Sequence, residues 1–215
     1  MESRHGPPDV RLLAIFDPAA WGVRALDVAR AAEAGGATIL QVRMKDSAAG
    51  ETLWWTERLV AALGIPVWVN DRADIAWLAG AAGVHLGAED LPIERVRAAA
   101  APLLGIGVSV GTDREAEAAR RARADYWSIG SIYVTPSKAD AGTPIGVQGF
   151  RDLAARAPVG TPCIAIGGVT AARVPELRAA GATGVAAIGA IFAATDVERA
   201  ARALRDAVDA TPTPG

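Results

Sequence analysis

Short apolar runs recur along the whole chain, at positions 12–16, 38–42, 67–70, 83–86, 106–109, 126–129, 163–166 and 184–188. Each is uniformly apolar, not alternating, as a β-strand covered on both faces must be. The intervening segments are rich in Ala, Leu, Arg and Glu at helical spacing. In 115–123 the charges fall on one face while Ala116, Ala119 and Ala122 repeat on another. Ala-Gly pairs at 34–35, 82–83 and 180–181 read as helix C-caps leading into the next strand. Eight strand-then-helix units without a break in composition predict an α/β fold, a single (β/α)8 TIM barrel over 11–209 between short tails at 1–10 and 210–215. An open doubly wound sheet is the alternative, and the count of eight favours the barrel. In a barrel, ligands bind where the strands end.

Composition narrows the class. A chain of 215 residues, 51% hydrophobic with scattered charge, has ample length for a buried core. A net charge of −2 argues against a broad nucleic-acid surface, so no nucleic-acid partner is expected. No apolar run reaches 18 residues and the first nine positions lack the apolar centre of a secretory signal. The expectation is a cytoplasmic protein with no membrane partner. The single cysteine, Cys163, excludes an intramolecular disulfide framework and a cysteine-rich zinc site, and its apolar run makes it a buried, inert thiol. Trp54 and Trp55 adjoin on a helical segment and cannot share one face. A homo-oligomer interface and ordinary amphipathic packing both remain open there.

The rare polar residues change the picture most. The chain has two lysines, one asparagine and two histidines, and 20 of its 22 Lys+Arg are Arg. Lys45, Asn70, His85 and Lys138 all fall at or just beyond the end of an apolar run. Rare polar residues gathered at strand ends point to one ligand site assembled from several loops. After the second run, alternation turns Gln41, Arg43 and Lys45 to one side, a pattern suited to a polyphosphate; a solvated charged turn is the plain alternative. Asp71 and Asp90 follow the third and fourth runs and can meet over adjacent strand ends. Two carboxylates with open positions for phosphate oxygens suit Mg2+, although either residue can also cap a helix. His85 has no second histidine at ligand spacing, so an orienting hydrogen bond fits it better than a metal. The long segment 130–144 carries Thr135, Pro136, Ser137 and Lys138, two hydroxyls and an ammonium that can clamp an anion. Gly167 and Gly168 after the seventh run, and Gly189 after the eighth, let backbone N–H groups approach a phosphate where barrels commonly hold one.

Taken together, the ordered motifs at 41–46, 70–72, 83–87 with Asp90, 107–109, 135–138 and 166–168 resemble the thiamine phosphate synthase family, over roughly positions 12–191. The resemblance implies a (β/α)8 transferase that joins an aminopyrimidine-methyl diphosphate to a thiazole phosphate, or its carboxylated form, and releases diphosphate. It implies that Gln41, Val42, Arg43, Met44, Lys45, Asn70 and Lys138 hold the pyrimidine diphosphate. It also implies that Asp71 and Asp90 hold Mg2+ and that Ser109 lies beside the reacting pyrimidine. Thr135, Pro136, Ser137, Gly168, Ile188 and Gly189 would hold the thiazole phosphate, and Arg43, Lys45, Ser109 and Lys138 would carry the catalysis.

The chain departs from that pattern at the first strand, where Leu13 and Phe16 stand in place of the usual Tyr and Thr. It departs again at Gly189, where a Ser is usual, and at Met44, where a Glu is common. Weaker binding of the thiazole phosphate is the expected consequence. The related thiazole tautomerase branch has a catalytic histidine two positions after the serine, where this chain has Gly111. A non-catalytic phosphate-ligand binder on the same scaffold is the competing class, against which Asp71, Asp90 and Lys138 together argue.

Overall fold

The computed structural model describes residues 8–100, 104–135 and 143–212. Eight parallel strands close into a barrel in sequence order: β1 (Leu12–Phe16), β2 (Ile39–Val42), β3 (Val67–Asn70), β4 (Gly83–Leu86), β5 (Gly105–Val110), β6 (Tyr126–Ile129), β7 (Cys163–Ala165) and β8 (Gly184–Ala187), with β8 pairing back onto β1. Around it, among the described residues, lie α1 (Ala25–Ala34), α2 (Ala49–Ala62), α3 (Ala73–Leu78), α4 (Ile93–Ala100), α5 (Asp113–Arg121), α6 (Gly146–Ala154), α7 (Val174–Ala179), α8 (Gly189–Phe192) and α9 (Val197–Ala210). The predicted barrel is therefore the observed one, and the doubly wound alternative is set aside. No helix among the described residues is long and apolar enough to cross a membrane.

The strands are apolar because the barrel wall separates two cores. The outward set, including Leu12, Ala14, Phe16, Leu40, Val42, Val84, Leu86, Trp127 and Ile129, packs under the helices. The inward set forms a separate cluster of Val10, Leu13, Ile15, Ile39, Trp68, Tyr126, Ile164 and Ala186. Two large rings fill the barrel because facing positions lack side chains. Trp68 lies against Gly83 and Gly105, where an added Cβ would sit 2.7 Å from its ring, and Tyr126 lies across its register partner Gly107, where a Cβ would sit 2.2 Å away. The Trp68 and Tyr126 rings meet edge to face at 5.2 Å. Above this floor the inward residues become polar, and the cavity begins.

Two of the three Ala-Gly pairs end helices as expected. Gly35 is the C-cap of α1, and Gly181, at φ 101°, follows the Ala180 C-cap of α7. The third does not: α3 ends at Leu78, Gly80 takes the positive φ of 65°, and Gly83 belongs to β4, where its missing Cβ makes room for Trp68. Cys163 is buried, and loss of solvation pushes its thiol up to about 12. Of the two adjacent tryptophans, Trp55 is buried and Trp54 is 48% exposed under the Arg58 guanidinium.

Candidate active site

A cavity of about 670 Å3 opens at the C-terminal ends of the strands. The sequence-derived site residues that line it are Gln41, Arg43, Lys45, Asn70, Asp71, Asp90, Ser109, Thr135, Gly168, Ile188 and Gly189. Strand alternation explains the arrangement along β2. Gln41 is buried in the cavity floor, and Arg43 and Lys45 follow on the same side. Val42 turns the other way into the layer beneath the helices, and Met44 packs against that same layer. Neither side chain lines the cavity. Pro136, Ser137 and Lys138 lie outside the described residues.

The acidic pair forms where β3 and β4 end. The Asp71 amide donates to the His85 carbonyl at 2.8 Å, which ties the two strand ends together, and Asp71 itself adopts φ 65°. That left-handed turn lifts its carboxyl toward Asp90, with which it shares a hydrogen bond. Burial, that hydrogen bond and the Asp90 charge push the Asp71 carboxyl up to about 6, against the opposing pull of Arg43 and Lys45. Asp90 accepts the Gly87 amide at 2.6 Å, which fixes the β4 loop. Helix capping does not explain Asp71, because the N-cap of α3 is Arg72 and makes no side-chain cap bond. Arg72 instead turns outward to Asp74 at 2.6 Å. As a donor set the pair fits Mg2+: two oxygen ligands from fixed strand ends, with room left for waters and phosphate oxygens. Among the described residues no third His, Cys, Asp or Glu completes a larger metal-binding cluster.

Below the pair, one polar residue from each of four strands makes a chain of hydrogen bonds. Gln41 bonds the Tyr126 phenol, the phenol oxygen lies 2.8 Å from His85 Nδ1, and His85 Nε2 lies 3.0 Å from Ser109 Oγ. Tyr126 is fully buried and His85 is 7% exposed. Tyr126 carried no assignment in the sequence reading because it opens an apolar strand. The signal was there: Tyr126 and Ser128 occupy alternate positions of β6, both face inward, and both line the cavity. Glu115 was also missed. It lies in the first turn of α5 and reaches back to accept the Gly111 amide at 2.7 Å, beside the cavity.

The opposite rim is backbone. Gly167 (φ 94°) and Gly168 (φ 65°) lie so close to Ser131 and Tyr133 that a Cβ would meet them at 2.0 and 2.8 Å. Arg173 donates to the Gly168 carbonyl at 2.6 Å and covers the Tyr133 ring at 4.1 Å. Tyr133 in turn donates to Glu176. Gly189 and Ala190 open α8 and line the cavity; first-turn amides have no partner within their own helix. Of the departures noted in β1, Leu13 lines the cavity, whereas Phe16 is buried under the helices against Phe192, with ring centroids 4.9 Å apart.

Fold and rim together define a (β/α)8-barrel enzyme whose mouth sets an acidic pair among cations on one side and bare glycine backbone on the other. The chain belongs to the thiamine monophosphate synthase family, whose pattern it matches over residues 12–191. It is 44% identical over 196 residues to a thiamine-phosphate synthase of Roseiflexus castenholzii, covering 89% of this chain and 85% of that one. It is 44% identical over 186 residues to one from Moorella thermoacetica, covering 85% and 88%. Among solved structures, a thiamine phosphate pyrophosphorylase from Pyrococcus furiosus superposes with a TM-score of 0.83 at 34% identity, covering 95% of this chain and 98% of that one.

Proposed function

We propose that this chain condenses an aminopyrimidine-methyl diphosphate with a thiazole phosphate, or its carboxylated form, to give thiamine phosphate and diphosphate. The bond from the pyrimidine methylene carbon to the diphosphate oxygen breaks, and the thiazole nitrogen bonds to that carbon. The observation that carries this reading is the Asp71–Asp90 pair set against Arg43 and Lys45 at the mouth of one cavity. Departure of the leaving group concentrates negative charge on the diphosphate, and preorganised cations stabilise that charge more as it grows. Arg43 and Lys45 supply two of them, and Lys138 from the 130–144 segment supplies a third. Asp71 and Asp90 would hold Mg2+, which when bound offsets charge on the departing diphosphate. Asn70 orients the diphosphate, and Ser109 lies beside the pyrimidine.

The glycine rim at Gly168 and Gly189, with Thr135 and Ser137, holds the thiazole phosphate. Binding both substrates before ionisation favours capture of the pyrimidinylmethyl cation by thiazole over capture by water. Gly189 offers a backbone amide where the family usually adds a hydroxyl, so the expected KM for the thiazole phosphate is raised by about tenfold relative to G189S. Purified protein mixed with both substrates and Mg2+ should form thiamine phosphate, and EDTA should abolish it. A folded protein that binds the diphosphate but makes no product would instead be a phosphate-ligand binder.

A further inference from the structure

We infer that Tyr126 is a positioning residue which, through His85, commits the Ser109 hydroxyl to donating a hydrogen bond into the cavity. The argument is one of proton counting along the buried chain. Burial keeps the Tyr126 phenol protonated, and Gln41, which bonds it from β2, has two amide hydrogens to offer its oxygen. The phenol has one proton to give, and His85 Nδ1, 2.8 Å away, is the imidazole nitrogen placed to take it. A neutral imidazole that accepts at Nδ1 carries its hydrogen on Nε2, and Nε2 lies 3.0 Å from Ser109 Oγ. Ser109 Oγ therefore accepts on that side and has its own proton left to give. Ser109 is half-buried and lines the cavity, so the proton goes to an acceptor atom of the bound pyrimidine diphosphate. The opposite tautomer would reverse every bond: Gln41 would have to accept, and Ser109 would spend its proton on His85.

The barrel interior is built to hold this arrangement. Tyr126 lies flat across β5 only because Gly107 has no Cβ, and Trp68 closes the space beneath its ring. The imidazole stacks on the phenol with centroids 5.7 Å apart. Gln41, His85, Ser109 and Tyr126 come from β2, β4, β5 and β6, so no loop motion is needed to align them.

This inference rests on the proposed reaction only for the identity of the acceptor, and its test separates the two. His85 is one of only two histidines, so in 15N-labelled H5Q protein it is the sole imidazole. Long-range 1H–15N correlation spectra of the free protein should show one neutral form protonated on Nε2. Protonation on Nδ1, on both nitrogens, or exchange between forms overturns the relay whatever the protein catalyses. In Y126F the single tautomer should give way to a mixture, and kcat should fall about 10- to 100-fold, with KM for the pyrimidine diphosphate within about threefold. S109A/Y126F should be no slower than S109A, because Tyr126 acts through Ser109. Losses that multiply in the double variant would mean that Tyr126 merely supports the fold, and would overturn the assignment. Absence of thiamine phosphate formation by the unaltered protein would sink the proposed reaction, while the tautomer spectrum would still decide the relay.

Discussion

At Asp71 one carboxyl has its protonation set by competing neighbours. Its native pKa of about 6 stands above the ordinary 3.8, so between those values the folded protein holds a proton that the unfolded chain has released. The stability this provides is full below pH 3.8 and is lost as pH rises through about 6. In the absence of Mg2+ at pH 8, D71N should therefore be more stable than the parent by about 1 kcal/mol, a figure already reduced for the solvent around a half-exposed group. Addition of Mg2+ should raise the melting temperature of the parent at pH 8, do so less as pH falls through 6, and leave D71N unmoved. Equal Mg2+ responses in the two proteins would remove Asp71 from the metal site. Turnover by D71A should drop by roughly 100- to 1,000-fold while its circular dichroism is preserved.

At the scale of the element, β5 shows how an apolar strand builds a polar site. Gly105 and Gly107 contribute no side chains to the interior, and Trp68 and Tyr126 take the space they leave. Ser109 and Val110 then end the strand, with Ser109 inward and Val110 buried outward. The glycine pair is therefore a packing device that places a phenol in the floor of the site. G107A would set a methyl 2.2 Å from the Tyr126 ring, so the ring or the strand must move. The expected cost is about 1–3 kcal/mol in urea unfolding, with turnover reduced as well because the relay is displaced. An unchanged unfolding midpoint would show that the ring has space to retreat. On the outside of the same strand, Asp125 accepts the Ile106 amide at 2.6 Å and pairs with Arg97 from α4 at 3.1 Å, linking helix to barrel away from the chemistry.

Across the whole molecule, the helical layer is closed by α9 packing against α1 and α7. Arg178 of α7 donates to the carbonyls of Ala182 and Thr183, at 2.6 and 2.8 Å, and to that of Thr211 beyond α9 at 2.9 Å. From α9, Arg202 and Arg205 donate to the carbonyls of Ala34 and Gly36 at the C-terminal end of α1, at 2.5 and 3.0 Å. These bonds lie at the end of the barrel remote from the cavity. R178A strands three carbonyls at once and should lower unfolding stability by about 2–4 kcal/mol, read as a shifted denaturant midpoint at constant slope. Steady-state turnover at 25 °C should stay within about twofold. A large loss of turnover with no loss of stability would tie this closure to the site instead.

The sequence by itself determined the architecture and the family. Two-faced burial requires strands that are apolar throughout, and eight such runs separated by helical segments leave a closed barrel as the economical solution. It also determined that Arg43, Lys45, Asn70, Asp71 and Asp90 lie on one rim, because strand ends and alternation are local properties of the chain. What only the tertiary structure decided is what those residues do to one another. The raised pKa of Asp71 depends on its burial at the cavity mouth and on the Asp90 carboxylate beyond the next strand. The role of Tyr126 depends on a missing Cβ in β5 and an imidazole from β4, contacts that join residues 19 and 41 positions away and that no local periodicity records. Val42 and Met44 belong to the same sequence motif as Gln41, Arg43 and Lys45, yet face the helices. A motif specifies which residues are neighbours in the chain, whereas the closed sheet specifies which of them share a side.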